Sequence, residues 1–355
     1  MKISDVKIYT FDAYRTNWAF IKVETDEGLY GWGEASLGTN EMALEGMIAD
    51  LRRLVVGRNP MEIEKLCFEV YRDIYWKGGP VLMSAISGIE IACWDITGKF
   101  LGVPVAALFG GKMRDSVKMY ANAWFVGART PEQFAAKAKR TAALGVKALK
   151  WDPFGASHMT ISRELEQYKP MFLEEPCVPD NMDSTAYVRS RSNIPIAAGE
   201  RGYTKYAFQE MFEKNAVDYA QPDVFHTGGL MEGKKIAAMA EAKHIMVSYH
   251  NPSGPISNAA ILQLAATVPN FCIHEIMLTD ASFRKTITNE EVVFEDGYIK
   301  IPDKPGLGID VNIDEVLARP YTPRNLRHYT GAVTDIRPKN DTIYYFKGLE
   351  NEVYE

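Results

Sequence analysis

Apolar and polar residues alternate over 3–14 and again over 18–25, and Asp26, Glu27 and Gly28 turn the chain into a third short run, 29–32. Period two in three neighbouring runs predicts a small antiparallel meander. Helical spacing follows. Asn40 is placed to cap a helix from Glu41, and Asn59 with Pro60 reads as the N-cap and first-turn pair of the next. A third helix is predicted over about 84–101, where Ile86, Ile89, Ala92, Cys93, Ile96 and Phe100 recur at helical spacing and Gly102 is placed to end it. Strands followed by helices make residues 1–115 an α+β unit.

From Val117 the rhythm becomes strand, helix, strand, helix. Residues 120–125 are extended in pattern; Thr130, Pro131, Glu132 and Gln133 then form a capping box, and that helix ends at Gly145. Further strands are predicted to end near Asp152, Glu174, Glu200, Asp223, His250 and Glu275, with helices around 204–212, 234–244 and 256–267. From Glu174 onward the polar strand ends recur every 23 to 27 residues, one βα period each. Repeated βα units predict a parallel sheet with helices outside, and polar residues at consecutive C-terminal strand ends favour a barrel, whose strand ends share one mouth. Seven strand ends are found where eight close a barrel. Residues 153–170 hold one crossover's worth of chain, so one βα unit is expected to be missing. Residues 116–295 therefore read as the barrel. Residues 296–355 begin with an Asp296–Gly297 turn and a Pro302, Pro305, Gly306, Gly308 run, and read as a segment returning to the first unit. The tail from Arg319 is expected to pack on the surface.

Composition narrows the class. The 355 residues are 46% hydrophobic and 24% charged, a globular balance. Forty Lys plus Arg against 46 Asp plus Glu leave a net charge of −6, which argues against nucleic acid or an anionic membrane surface as partner. Cys67, Cys93, Cys177 and Cys272 show no metal or disulfide spacing and read as reduced core thiols. The N-terminus lacks a signal-peptide pattern and no window approaches a membrane span, so the cytoplasm is the expected address.

The strand-end residues carry the chemistry. Glu174 in FLEEP and Glu200 in AAGER are hard oxygen ligands on neighbouring strands, suited to Mg²⁺; the plain alternative is two structural ion pairs. Glu175 is expected to point away from its neighbour. Asp223 in AQPD and His250 in SYHNP lie one unit apart and read as a general base with its orienting carboxylate. The other histidines, 158, 226, 244, 274 and 328, lack such a context. Lys150 can attract a substrate carboxylate or be a solvated loop lysine; Glu275 can donate a hydrogen bond if protonated or pair with a surface Arg.

These residues, with GGPVLMSAISGIEIACWDITGKF, YANAWF, KALKWDPFG, HTGG and KPGLGIDV, make the chain resemble the enolase superfamily in its mandelate racemase branch, most closely the acid-sugar dehydratases. The resemblance implies a (β/α)₇β TIM-like barrel under an α+β capping domain, and an enzyme that removes the proton α to a carboxylate and stabilises the enediolate on Mg²⁺. It implies Glu174 and Glu200 as metal ligands, His250 and Asp223 as the base pair, and Glu275 as a hydrogen-bond donor. Lys150 and Asp152 fall at the family's K-x-K and are expected, with Glu275, to bind substrate; Asp152 in place of the second lysine disfavours a two-base racemase. The family's third strand, with a metal carboxylate and His-Gly-Arg, has no counterpart. The resulting expectation is an aldonate dehydratase, a carbon-oxygen lyase acting on a small acid sugar as a homo-oligomer. An epimerase or cycloisomerase of the same superfamily, or a non-catalytic barrel remnant, are the competing readings.

Overall fold

The computed structural model describes residues 1–13, 16–151, 163–278, 281–289 and 292–324. Three strands, β1 (Ile3–Asp12), β2 (Asn17–Thr25) and β3 (Tyr30–Glu34), form an antiparallel sheet in that order, as the alternation predicts. Helices α1 (Glu41–Val55), α2 (Ile63–Asp73) and α3 (Pro80–Leu101) follow. Leu44, Ile48, Leu51 and Val55 of α1 and Leu66 and Val70 of α2 meet Ile86, Ile89, Cys93 and Ile96 of α3 over Ile21 and Val23, a core of the expected spacing. A β-carbon at Gly31 or Gly33 would collide with the backbone of Ala92 or Gly88, so only glycines let β3 lie this close to α3.

Two helix starts of this unit differ from the pattern, as does that of the helix expected over 234–244, which begins at Leu230. Asn59 accepts from the Met61 N–H at 3.0 Å in a turn ahead of α2, which begins only at Ile63. Helix α3 begins four residues early, because Gly79 at φ 77° and Pro80 at the first position set up its first turn; it ends at Gly102, φ 70°, as expected. At 22 residues α3 is long and apolar enough to cross a membrane by length and composition, correcting the expectation that no segment is, but 89% of that window is buried inside the protein. Its apolarity on all sides follows from its place: Ile91 joins the barrel core while Ile89, Ala92 and Cys93 face the N-terminal sheet.

The second part is α/β. Strands β5 (Leu173–Glu174), β6 (Ile196–Ala198), β7 (Tyr219–Ala220) and β8 (Met246–Val247) are parallel in that order. Strand β4 (Ser116–Asn122) pairs in parallel with β9 (His274–Met277). Parallel bridges Val247–Phe271 and Ala121–Leu149 join the pieces into a curved wall in the order Leu149, β4, β9, β8, β7, β6, β5. Among the described residues no strand lies between Leu149 and β5. Helices Pro131–Ala143, Met182–Arg189, Thr204–Glu213, Leu230–Glu241 and Pro255–Ala265 alternate with the strands, and the Thr130–Gln133 capping box forms as predicted.

After β9 the chain adds β10 (Phe294–Glu295) and β11 (Tyr298–Lys300) antiparallel to β4. It then reaches the N-terminal sheet: Asp310 accepts from the Tyr30 hydroxyl at 2.8 Å and the Trp32 indole at 2.7 Å, and Arg324 pairs with Asp12 at 2.6 Å. Residues 325–355, expected to pack on the surface, lie outside the described residues. All four cysteines are free thiols.

Candidate active site

The parallel register carries the C-terminal strand ends to one side of the wall, and there the polar residues meet. The Lys150 ammonium lies 2.5 Å from Glu174 Oε1 and 3.3 Å from Glu275 Oε1. His250 donates from Nδ1 to Asp223 Oδ2 at 2.8 Å, and its Nε2 lies 3.3 Å from Glu200 Oε2. Five strands and the segment at Leu149 thus supply a cluster of two neighbouring groups, Lys150 with Glu174 and Glu275 and His250 with Asp223 and Glu200, whose charges act on one another. Asp152, expected to bind substrate, lies outside the described residues, as do His158 and His328.

Exposure divides the cluster by task. The side chains of Glu174, Lys150, His250 and Glu200 remain 15 to 28% exposed, whereas Glu275 and Asp223 are closed at 0 and 1%. The open four can touch a ligand directly, whereas Asp223 and Glu275 can reach one only through them. Asp223 is fixed further by the Phe225 N–H, which donates to its Oδ1 at 2.9 Å as the chain enters a short helix. Glu275 sits inside β9 and is ringed by donors: Asn122 Nδ2 at 3.0 Å, the Asn251 N–H at 2.9 Å and Lys150.

The electrostatics follow from these contacts. Burial opposes charge at Glu275, but Lys150, His250 and the Asn251 N–H outweigh it and hold the carboxyl down at about 2. These contacts favour the ionised, accepting form of Glu275. Both its oxygens accept in this arrangement, Oε1 from Asn122 and Lys150 and Oε2 from the Asn251 N–H, whereas the resemblance implies a hydrogen-bond donor at this position. Burial likewise opposes the His250 cation, yet Glu200 and Asp223 together raise it to about 10. Lys150 is held well above its ordinary value by Glu174 and Glu275 against burial, while burial pushes Glu174 up despite Lys150.

Sequence reasoning missed Asn122, Gln221 and Asn251. Gln221, 1% exposed, donates from Nε2 to Glu174 Oε2 at 3.3 Å. Asn122 ends its strand as Glu174 does, and Gln221 shares the parity of Asp223, so both carried a signal. Glu175 turns away as expected: at φ 45° it accepts from the Gly199 N–H at 2.8 Å and pairs with Arg201. His226, set aside on sequence, lies 3.8 Å from Asp223 and shares a 2.7 Å hydrogen bond with Ser84 of α3.

Glu174 and Glu200 are hard oxygen donors on adjacent strands, and each already faces a cationic side chain. They fit Mg²⁺, which takes one or two carboxylates and completes its shell with water and substrate oxygens. Among the described residues no group of three His, Cys, Asp or Glu side chains forms a cage.

The chain matches known proteins along most of its length. Residues 6–110 match the family model described as mandelate racemase / muconate lactonizing enzyme, N-terminal domain, and residues 150–316 the one described as enolase C-terminal domain-like. A D-galactonate dehydratase of Ralstonia pickettii (strain 12J) is 35% identical over 361 residues, covering 88% of this chain and 93% of that protein. A second, from Ralstonia nicotianae, is 33% identical over 384 residues, covering 93% and 100%. The crystal structure of a mandelate racemase/muconate lactonizing enzyme from Jannaschia sp. CCS1 superposes with a TM-score of 0.85 at 28% identity, covering 92% and 99%.

Proposed function

The chain belongs to the mandelate racemase/muconate lactonizing enzyme branch of the enolase superfamily, and from that premise we propose that it dehydrates an acid sugar, an aldonate of the galactonate or gluconate type, to a 2-keto-3-deoxy acid. The observation that carries the reading is the His250–Asp223 pair, with the outer ring nitrogen open in the mouth beside Glu200.

Asp223 holds the proton on Nδ1 and so fixes the tautomer whose Nε2 can accept another. Nε2 takes the proton α to the substrate's carboxylate. Lys150 attracts that carboxylate, and Glu275 positions Lys150 from behind. A divalent cation at Glu174 and Glu200 supplies, when bound, positive charge against the negative charge that develops on the substrate's carboxylate, and draws the field of Glu200 away from His250. Loss of the 3-hydroxyl as hydroxide, balanced by the proton taken at Nε2, yields water and an enol that becomes the keto acid. The closed Asp223 and Glu275 are positioning residues in this scheme.

The barrel of this chain is proposed to lack one βα unit. The step from Lys150 to Glu174 is a single period, and the 384 aligned positions of the Ralstonia nicotianae protein exceed the 355 residues here, so at least 29 of them have no residue in this chain.

Aldonic and aldaric acids screened for 2-keto-acid formation with Mg²⁺ present test the reading. Turnover of an aldonate is expected; none from any acid, in folded protein that binds Mg²⁺, overturns it.

A further inference from the structure

Both oxygens of Glu174 already face donors: Lys150 Nζ at 2.5 Å on Oε1 and Gln221 Nε2 at 3.3 Å on Oε2. The ammonium on Oε1 has a second anchor, the closed Glu275, 3.3 Å away. These anchors are unequal. Glu275 is fixed by Asn122 and the Asn251 N–H and has no route to solvent, while Glu174 lies at the open mouth. A lysine that lets go of Glu174 therefore keeps one carboxylate partner, and avoids the large penalty of a buried charge left alone.

We propose that Lys150 is a latch on the metal site: without an acid ligand its ammonium holds Glu174, a carboxylate that would hold a divalent cation, and a carboxylate entering the mouth draws it off. The inference rests on Glu174 and Glu200 being the metal carboxylates. Two cations held on one carboxylate repel each other at this depth, so a metal and Lys150 would compete for Glu174. A carboxylate that binds Lys150 then favours the metal, and by linkage the metal favours the carboxylate to the same extent.

Calorimetric titration of Mg²⁺ tests the latch without turnover. Wild-type protein in chloride is expected to bind Mg²⁺ weakly and to tighten when acetate, a carboxylate without hydroxyls to chelate the metal, is added. Lys150→Met keeps the apolar stem and removes the charge; it should bind Mg²⁺ tighter than wild type by about 5- to 150-fold, the usual range for coupled sites, and should ignore acetate. Lys150→Arg should stay weak. Equal affinity in wild type and Lys150→Met, or no acetate effect in wild type, overturns the latch; the acetate arm needs no variant and stands even where one misfolds. If neither protein binds Mg²⁺, the metal reading of Glu174 and Glu200 itself falls, an outcome distinct from two proteins that bind equally.

Discussion

With Nδ1 tied to Asp223, His250 has one ring nitrogen left for chemistry, and it is the one that reaches the mouth. His250→Asn is expected to keep its melting temperature and to lose α-proton exchange with solvent deuterium by about 10²- to 10⁴-fold, the span of general-base catalysis. A purely structural histidine forecasts the reverse, a lower melting temperature with exchange per folded molecule retained, so both are measured on one preparation. The residues that end apolar strands, Lys150, Glu174, Glu200, Asp223 and His250, were legible because the parallel fold converts one-dimensional period into a common mouth. What escaped depends on contacts between strands. The neutral donors that hold Glu275 come from Asn122 and Asn251, residues 153 and 24 positions away, and the link from His226 to Ser84 crosses from the barrel to α3. No local pattern encodes either.

Two helices of the barrel begin against carboxylates supplied by the N-terminal unit. Glu34, at the end of β3, accepts from the Gly254 and Ser257 N–H groups at the start of Pro255–Ala265; Glu90, in α3, accepts from the Leu230 and Met231 N–H groups at the start of Leu230–Glu241. These helices follow the strands that carry His250 and Asp223, so the contacts hold the base pair's loops to α3 and β3. Burial raises both carboxyls to about 7, against those hydrogen bonds. A carboxyl raised on folding adds stability that is complete below its unfolded value near 4.5 and is lost as pH rises through about 7. Melting temperature should therefore fall more between pH 5 and pH 7.5 in wild type than in the Glu34→Gln, Glu90→Gln double variant, although the variant is less stable throughout. Parallel curves would remove these carboxyls from the balance. His274, lowered to about 3 by burial, works in the opposite direction but is common to both proteins and cancels. At this scale the Thr130 capping box was readable because it is local, whereas the caps at Gly254 and Leu230 were not, their acceptors lying 220 and 140 residues away.

A closed barrel leaves no strand edge, and this wall has two: among the described residues nothing pairs with the outer side of β5 or of the segment at Leu149. The Lys150–Glu174 pair spans that interval by side chains, and the Phe172 ring, one residue before β5, lies 6.3 Å from the Tyr120 ring of β4 and 5.3 Å from the Tyr219 ring of β7. The same lysine is thus asked to tie the wall and to hold a ligand carboxylate, two tasks that a strand between them would separate. Inserting a βα unit whose strand ends in a carboxylate after Asp152 should then raise the melting temperature, because its strand can pair two open edges, and should tighten Mg²⁺. If the wall is instead complete as it stands, the insert has no edge to pair with and must be extruded as a loop, and the melting temperature falls with Mg²⁺ affinity unchanged. Differential scanning calorimetry and Mg²⁺ titration of the insertion variant beside the parent separate the two, since one geometry predicts both quantities rising together and the other predicts neither.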